Sequence, residues 1–148
     1  MATGYAKGNA DMHAVAFAVQ VDDNDLGYFD SCQGLGCKLV TESRAEGGNR
    51  GMVYQLPTQL TFTPVTLSRY VTPDSGKIIK LFANLDKGIR RSTAKIEART
   101  LAGTLVLRWI LYDVLPAGWS GPQLSIDSTR AATETLELAH HGFRVETT

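Results

Sequence analysis

The sequence predicts a mainly β protein with one α-helix, and three observations carry this prediction. From Ala94 to Thr100, small or apolar residues alternate with charged ones, which is the period of a strand with one covered face and one wet face. From Leu105 to Leu111 the run is apolar except for Arg108, which predicts a strand covered on both faces, by its own domain or by another subunit. Only one segment has a clear helical apolar period: Ile78, Leu81, Phe82 and Leu85.

The composition is that of one ordinary domain. The chain has 148 residues, and its 15 basic and 15 acidic side chains cancel, so no strong attraction to nucleic acid or to an anionic membrane is expected. No apolar run approaches the ~20 residues of a membrane helix, and the N-terminus lacks the apolar core of a secretory signal. We therefore expect synthesis in the cytoplasm, with residues 1–12 forming a mobile arm that orders only against a partner.

The N-terminal third alternates strand and turn signals. Residues Ala14–Val21 predict a first strand, and the polar run Asp22–Asp25 predicts a solvated turn. A second strand begins at Leu26. Gly34 and Gly36 then indicate a bulge or kink, because neither a Lys-Ser/Thr pair nor a helical pattern follows them as in a phosphate-binding loop.

Glycines dominate the next segment. Gly47–Gly51 marks a long flexible loop, which we expect to span Ala45–Tyr54 and to contact a neighbouring subunit. Residues Tyr54–Leu60 contain Pro57 and predict an extended edge or connection, since proline is poorly tolerated in a central strand. Residues Phe62–Tyr70 predict a further strand.

The predicted helix covers about residues 75–87. Asp74 or Ser75 could cap its first amides, and Gly88 could end it in a left-handed conformation. Its apolar stripe predicts a contact with the core of the domain.

The C-terminal third contains signals for a hairpin turn, a corner and a last strand. Ala102-Gly103 predicts a hairpin turn, and the prolines and glycines of residues 116–122 predict a corner around Trp119. A last strand is predicted over Ala132–His140, where Glu134 shares a face with two leucines. That carboxylate is expected either to be buried against a basic partner or to lie at an edge that another chain covers.

The sequence contains no pattern of a catalytic, metal or nucleotide site. It has no nucleophile elbow, Walker loop, dinucleotide fingerprint or zinc spacing, and we expect neither enzyme activity nor a cofactor. Cys32 and Cys37 are too few for a disulfide scaffold and are interpreted as a buried or idle thiol pair. A metal site is not expected either, because the adjacent His140 and His141 would point apart in a strand and His13 lies in the polar N-terminal region.

Five segments in order resemble the tail tube protein family of contractile phages and of phage-tail-like extracellular contractile injection systems. The likeness covers Phe17 to Phe143, and the segments are FAVQVDDNDLGYFDSCQGLG, EGG before a long loop, YQLPTQLTFTPVTLSRYVTPD leading into the helix, DVLPAGWSGPQLS and ATETLELAHHGF.

The resemblance implies an antiparallel β-sandwich or barrel with one flanking helix, assembled into hexameric rings. Rings of that family stack into a hollow tube that conducts DNA or protein cargo, and strands of every subunit join a continuous barrel around the lumen. The implied partners are further copies of the chain, a sheath protein, baseplate or initiator proteins and a cap. The implied role is mechanical, and residues 1–148 would form one tail-tube domain.

On this interpretation two sets of residues are candidates for function. Mixed charges on a lumen wall would let cargo slide without sticking, which suggests Lys95, Glu97 and Arg99 as lumen-facing residues. The candidates for the oligomer interface are the long loop, the corner and the unusual carboxylate: Ala45, Glu46, Gly47, Gly48, Asn49, Arg50, Gly51, Met52, Tyr54, Trp119 and Glu134.

Three alternatives stay open at this point. One is a tube-initiating protein present in a single ring at the baseplate, and another is a ring protein of a type VI secretion system. The third, from a different class, is a monomeric β-barrel that binds a small apolar ligand. Purified protein that polymerises into long tubes would favour the main tube component, and a closed hydrophobic cavity in a monomer would favour the third.

Overall fold

Antiparallel strands make up most of the chain that the structure describes. The computed structural model describes residues 16–45, 47–48, 51, 53–127 and 131–147. The elements in these residues are β1 (Ala16–Val21), β2 (Asn24–Phe29), β3 (Ser31–Gln33), β4 (Cys37–Ala45), β5 (Val53–Phe62), β6 (Val65–Tyr70), α1 (Ser75–Ala83), a 3-10 turn (Asn84–Lys87), β7 (Ser92–Arg99), β8 (Leu105–Ser120), β9 (Thr133–Ala139) and β10 (Phe143–Glu146).

Two sheets share the long strand β8. The first sheet has the order β2-β1-β7-β8-β10, and the second runs β8-β9-β6-β3. Strands β4 and β5 pair with each other in a separate two-stranded sheet. Every pairing is antiparallel, and the prediction of a mainly β fold with one helix is confirmed.

Two corners close the sheets into a barrel. Strands β2 and β3 are separated by Asp30 alone, and its backbone N–H donates to the Ser68 carbonyl of β6 at 2.9 Å. The second corner lies within β8 at Asp113, whose φ of 51° bends the strand from the first sheet into the second. A strand that changes sheets at a bend is the usual corner of such a barrel.

The barrel interior is filled by side chains from both sheets and from the helix. The alternation predicted in β7 is confirmed, because Ala94, Ile96 and Ala98 are buried. The largest apolar side chains that are fully enclosed are Phe29, Leu26, Leu67, Ile78, Ile96, Leu111, Leu136 and Leu138.

The predicted corner around Trp119 is wrong. Strand β8 continues through Pro116 to Ser120 and pairs with β9, with a register shift between Pro116 and Gly118. Pro116 is tolerated in this strand because the pairing of β8 with β7 ends at Val114. At Pro116 the side of β8 away from β9 therefore makes no ladder hydrogen bonds with β7, and the missing N–H of proline is not needed there. The preceding residues Leu105–Trp109 are half-buried in the single chain.

Both ends of the predicted long loop are strand residues. Ala45 and Tyr54 pair with Val53 and Arg44 respectively, so the hairpin ladder extends into the segment that was predicted to be a loop. Pro57 lies opposite Thr41 next to a register shift, in agreement with the predicted edge.

Two strand boundaries differ from the sequence-based ones. The strand predicted over residues 62–70 is divided by Thr63-Pro64 into the end of β5 and the whole of β6. Strand β10 was not predicted, because four residues are too few to show a period.

The helix is shorter than predicted and is not capped as expected. It is α-helical to Ala83 and continues as a 3-10 turn to Lys87. Asp74 occupies the N-cap position without a side-chain hydrogen bond to the helix, and it pairs with Lys77 at 3.0 Å. Gly88 ends the turn with a φ of 132° and a ψ of 143°, outside the left-handed helical region. No helix in the described part of the chain is long and apolar enough to cross a membrane.

Candidate assembly surfaces

A ladder of alternating charges runs across the outward face of the first sheet. Glu97 of β7 pairs with Arg99 on its own strand and with Arg108 of β8, whose Nη2 lies 2.7 Å from Glu97 Oε1. Arg108 also approaches Glu146 of β10 at 3.5 Å, and Glu146 pairs with Arg144 at 2.8 Å. Five charged residues of this face, on three adjacent strands, are therefore held in ion pairs.

The ladder joins two of the three predicted lumen candidates. Glu97 and Arg99 are in direct contact, and Lys95 lies on the same face of β7, opposite Ile110. Burial works against ionisation of the Glu97 carboxyl, but hydrogen bonds and charges from Arg99 and Arg108 outweigh it and lower the pKa of Glu97. Arg108, Arg144 and Glu146 were missed as site residues, since single charges in apolar or very short strands give no periodic signal.

Glu134 lies inside the chain and not on its surface. The residue is 1% exposed, and Oε1 accepts hydrogen bonds from Arg69 Nε and from Ser75 Oγ, each at 2.7 Å. Trp119 Nε1 donates to the second oxygen, Oε2, at 3.2 Å. The expectation of a basic partner is confirmed within the chain. Placing Glu134 in the oligomer interface is wrong, because its own fold encloses the carboxylate.

Arg69 extends this buried cluster to the edge of the first sheet. Its Nη1 donates to the carbonyls of Leu26 and Tyr28 on β2, and its guanidinium stacks over the Phe29 ring at 4.4 Å from the centroid. These two carbonyls lie on the side of β2 that faces away from β1. A further strand could otherwise pair with β2 on that side. The side chain therefore closes the β2 edge of the sheet.

Trp119 remains partly on the surface. Its side chain is held by the hydrogen bond to Glu134 and covers Gly121, whose added Cβ would lie 2.9 Å from the ring. The residue is 38% exposed, so an indole of fixed orientation faces outward. Such an aromatic side chain suits an interface.

Strands β4 and β5 form a hairpin that is exposed except at its root. Each residue of β4 is exposed, as are all residues of β5 before Thr61 and Phe62 at its root. The exposed apolar side chains are Leu39, Val40, Val53, Tyr54, Leu56 and Leu60. A two-stranded ribbon is at best marginally stable alone, so this one is suited to packing against another molecule.

The structure describes three of the remaining interface candidates, all between β4 and β5. Gly47, Gly48 and Gly51 are exposed there. Glu46, Asn49, Arg50 and Met52 lie outside the described residues, as do residues 1–12.

Neither cysteine has a disulfide partner. Burial raises the pKa of Cys32 to about 11, and Cys37 is exposed at the start of β4. Within the described ranges no group of three or more His, Cys, Asp or Glu residues could hold a metal ion.

Comparison with known proteins gives one family and several related folds. The model of the family described as T4-like virus tail tube protein gp19 matches residues 13–144. No curated protein matches the chain.

Three solved structures illustrate the likeness of the fold. A chain of the anti-feeding prophage cap has a TM-score of 0.77 at 20% identity, with 100% of both chains covered. A chain of the PVC sheath–tube complex of an extracellular contractile injection system has a TM-score of 0.76 at 21% identity, with 90% of each chain covered. Hcp1 from Salmonella typhimurium has a TM-score of 0.56 at 20% identity, with 91% of this chain and 87% of Hcp1 covered.

Proposed function

Because the chain belongs to the T4-like virus tail tube protein family, we propose that it builds the inner tube of a contractile tail or injection particle as stacked hexameric rings. The observation that carries the proposal is the family match over residues 13–144, which includes every described strand except the last residues of β10. The chain is made in the cytoplasm, and its partners are sheath, baseplate and cap proteins. Its work is mechanical.

Two features of the molecule support assembly over an isolated barrel. Large side chains fill the barrel interior, which disfavours the ligand-binding alternative. The exposed apolar hairpin is a further reason, since monomeric proteins rarely expose large contiguous apolar surfaces. In the tube, the hairpin from Ala45 to Tyr54 clamps an adjacent ring or subunit, and Trp119 lies at a contact between copies.

Electron microscopy of the purified protein tests this function. We expect six-membered rings that stack into hollow tubes, because the hairpin gains the partner that it lacks in one chain. In a variant where a two-residue Asn-Gly turn replaces residues 46–52, the strands remain paired while the clamp is lost. We expect this variant to form rings that do not stack. Wild-type protein that stays monomeric at high concentration would contradict the proposal.

The charge ladder supports a lumen position for Glu97 and Arg99, and Lys95 is included because it lies on the same face of β7. Paired charges present a wall of mixed sign, along which a charged cargo of protein or DNA slides without being held.

Cysteine labelling tests the lumen assignment. A Lys95→Cys variant, made with Cys37→Ser, should react with a small maleimide in intact tubes and resist a maleimide carried on a polymer too large for the bore. Dissociated protein, the control, should react with both reagents. Equal reaction of intact tubes with both reagents would place Lys95 on the outer wall.

A further inference from the structure

The β4–β5 hairpin meets the barrel at its root. In the described part of the chain, β4 and β5 pair with each other and with no other strand, and their exposure falls only at Thr61 and Phe62. At ~3.4 Å per residue β4 is about 27 Å long, so a rotation of ~10° at the root would move its far end by ~5 Å. The contacts of the root therefore decide where the far end of the hairpin lies.

An aromatic cluster holds the root against the barrel. The ring of Phe62 lies 5.7 Å from that of His140 and 6.0 Å from that of Phe143, measured between centroids. The Phe62 ring also packs beside Gly142, 3.5 Å from the point that a Cβ there would occupy. Gly142 is itself fixed to β8, because its carbonyl accepts the Tyr112 N–H at 2.9 Å. The ring of the hairpin is therefore seated on the turn between β9 and β10.

His140 also joins the hairpin to the barrel through its two ring nitrogens. The Thr63 carbonyl oxygen lies 2.9 Å from Nε2 and is an acceptor, so Nε2 carries a proton. Nδ1 accepts the Gly142 N–H at 3.2 Å, while the Gly142 carbonyl, 3.3 Å from Nδ1, is bonded to Tyr112. The residue is 7% exposed. One proton on Nε2 therefore satisfies both nitrogens of a neutral ring that is shielded from water.

The neighbouring His141 has different surroundings. It is exposed, its Nδ1 lies 3.7 Å from Asp113 Oδ2, and its Nε2 lies 3.3 Å from Arg91 Nη1. Its backbone N–H donates to the Tyr112 carbonyl at 3.0 Å. None of these partners belongs to the hairpin, so His141 serves as a matched control for His140.

We propose that His140 is a positioning residue for assembly: its neutral ring, protonated on Nε2, fixes the direction in which the hairpin leaves the barrel before two copies of the chain meet. The proposal rests on the tube function and names the contact that presets its clamp. A ribbon that swings freely must lose that freedom when it binds, and this loss weakens association. A hairpin fixed at its root has already lost it.

Distances between two spin labels test the proposal in dilute, unassembled protein. The labels are attached to Ala45→Cys at the far end of β4 and to Thr93→Cys in β7. The parent chain carries Cys32→Ala and Cys37→Ser, so no other thiol reacts. We expect one narrow distance distribution in this parent. His140→Phe keeps a ring but removes both hydrogen bonds, and we expect it to widen the distribution about twofold or more.

Two further variants make the distance test specific. His140→Gln keeps a donor near the position of Nε2 and should restore most of the narrow distribution. His141→Phe should leave the distribution as it is in the parent. A wide distribution in the parent, an unchanged one in His140→Phe, or equal widening by both phenylalanine variants would overturn the proposal.

The nitrogen chemical shifts of His140 give a test that requires no variant at this position. In dilute protein at pH 7 we expect the shifts of a neutral ring with its proton on Nε2. A proton on Nδ1, alone or together with one on Nε2, would overturn the proposal.

Electron microscopy separates this proposal from the tube function. In His140→Phe we expect the protein concentration at which rings appear to rise about fivefold or more, and in His140→Gln to stay near that of the wild type. Rings formed by His140→Phe at the wild-type concentration would overturn the positioning role and leave the tube function standing. Absence of rings in wild-type protein would contradict the tube function itself, and the spin-label distances would still decide whether His140 fixes the hairpin.

Discussion

Glu134→Gln should lower the free energy of unfolding by about 3–5 kcal/mol, since breaking a buried ion pair leaves the other charge uncompensated. Arg69 would keep its charge in an enclosed site where the carboxylate now lies 2.7 Å from Nε. The cluster joins β2, β6, β8, β9 and α1, so its loss is expected to loosen both sheets and the start of the helix. Urea unfolding of dilute, unassembled protein measures the change.

A double replacement is the matched control for this prediction. Arg69→Met combined with Glu134→Leu removes both charges and keeps the side-chain volumes similar. The double variant should therefore lose less free energy of unfolding than Glu134→Gln or Arg69→Met alone. It would also uncover the β2 edge that Arg69 closes, and we expect the double variant to aggregate more readily than the wild type. A loss below ~1 kcal/mol in both Glu134→Gln and Arg69→Met would contradict the structural role of the pair.

Gly34→Ala should destabilise the fold by roughly 3 kcal/mol or more, because two costs combine at this position. The φ of Gly34 is +88°, which an L side chain rarely adopts, and an added Cβ would lie 2.2 Å from the Pro64 carbonyl oxygen. The neighbour is backbone at the junction of β5 and β6, so relief requires that junction to move. Thermal unfolding and soluble yield measure the effect.

Gly36 is the control two residues away. Its φ is not in the positive range, and a Cβ there meets nothing within 4 Å. Gly36→Ala should therefore be neutral or stabilise the chain by ~0.4–1 kcal/mol through the unfolded state. Equal losses in both variants would show that the Gly34 contact is not the cause.

The residues predicted correctly are those whose side chains repeat with a period. Strands β1, β7 and β9 alternate over six or more residues, and the helix has a stripe of four apolar residues, so local pattern was enough to assign them. The site was less predictable. The ladder depends on β10, whose four residues meet β8 from a distant part of the sequence.

The amino-acid sequence by itself determined the β class, the position of the helix, the buried faces of the main strands and the family. These features depend on the periodicity of neighbouring residues and on the order of short segments, both of which are visible in the sequence. Only the tertiary structure decided that Trp119 continues a strand, that Glu134 binds Arg69 of its own chain, and that β10 pairs with β8. Those outcomes depend on which strands become neighbours, and strand pairing joins residues that are far apart in sequence. A single carboxylate or proline in the sequence does not indicate which residue the fold will place next to it.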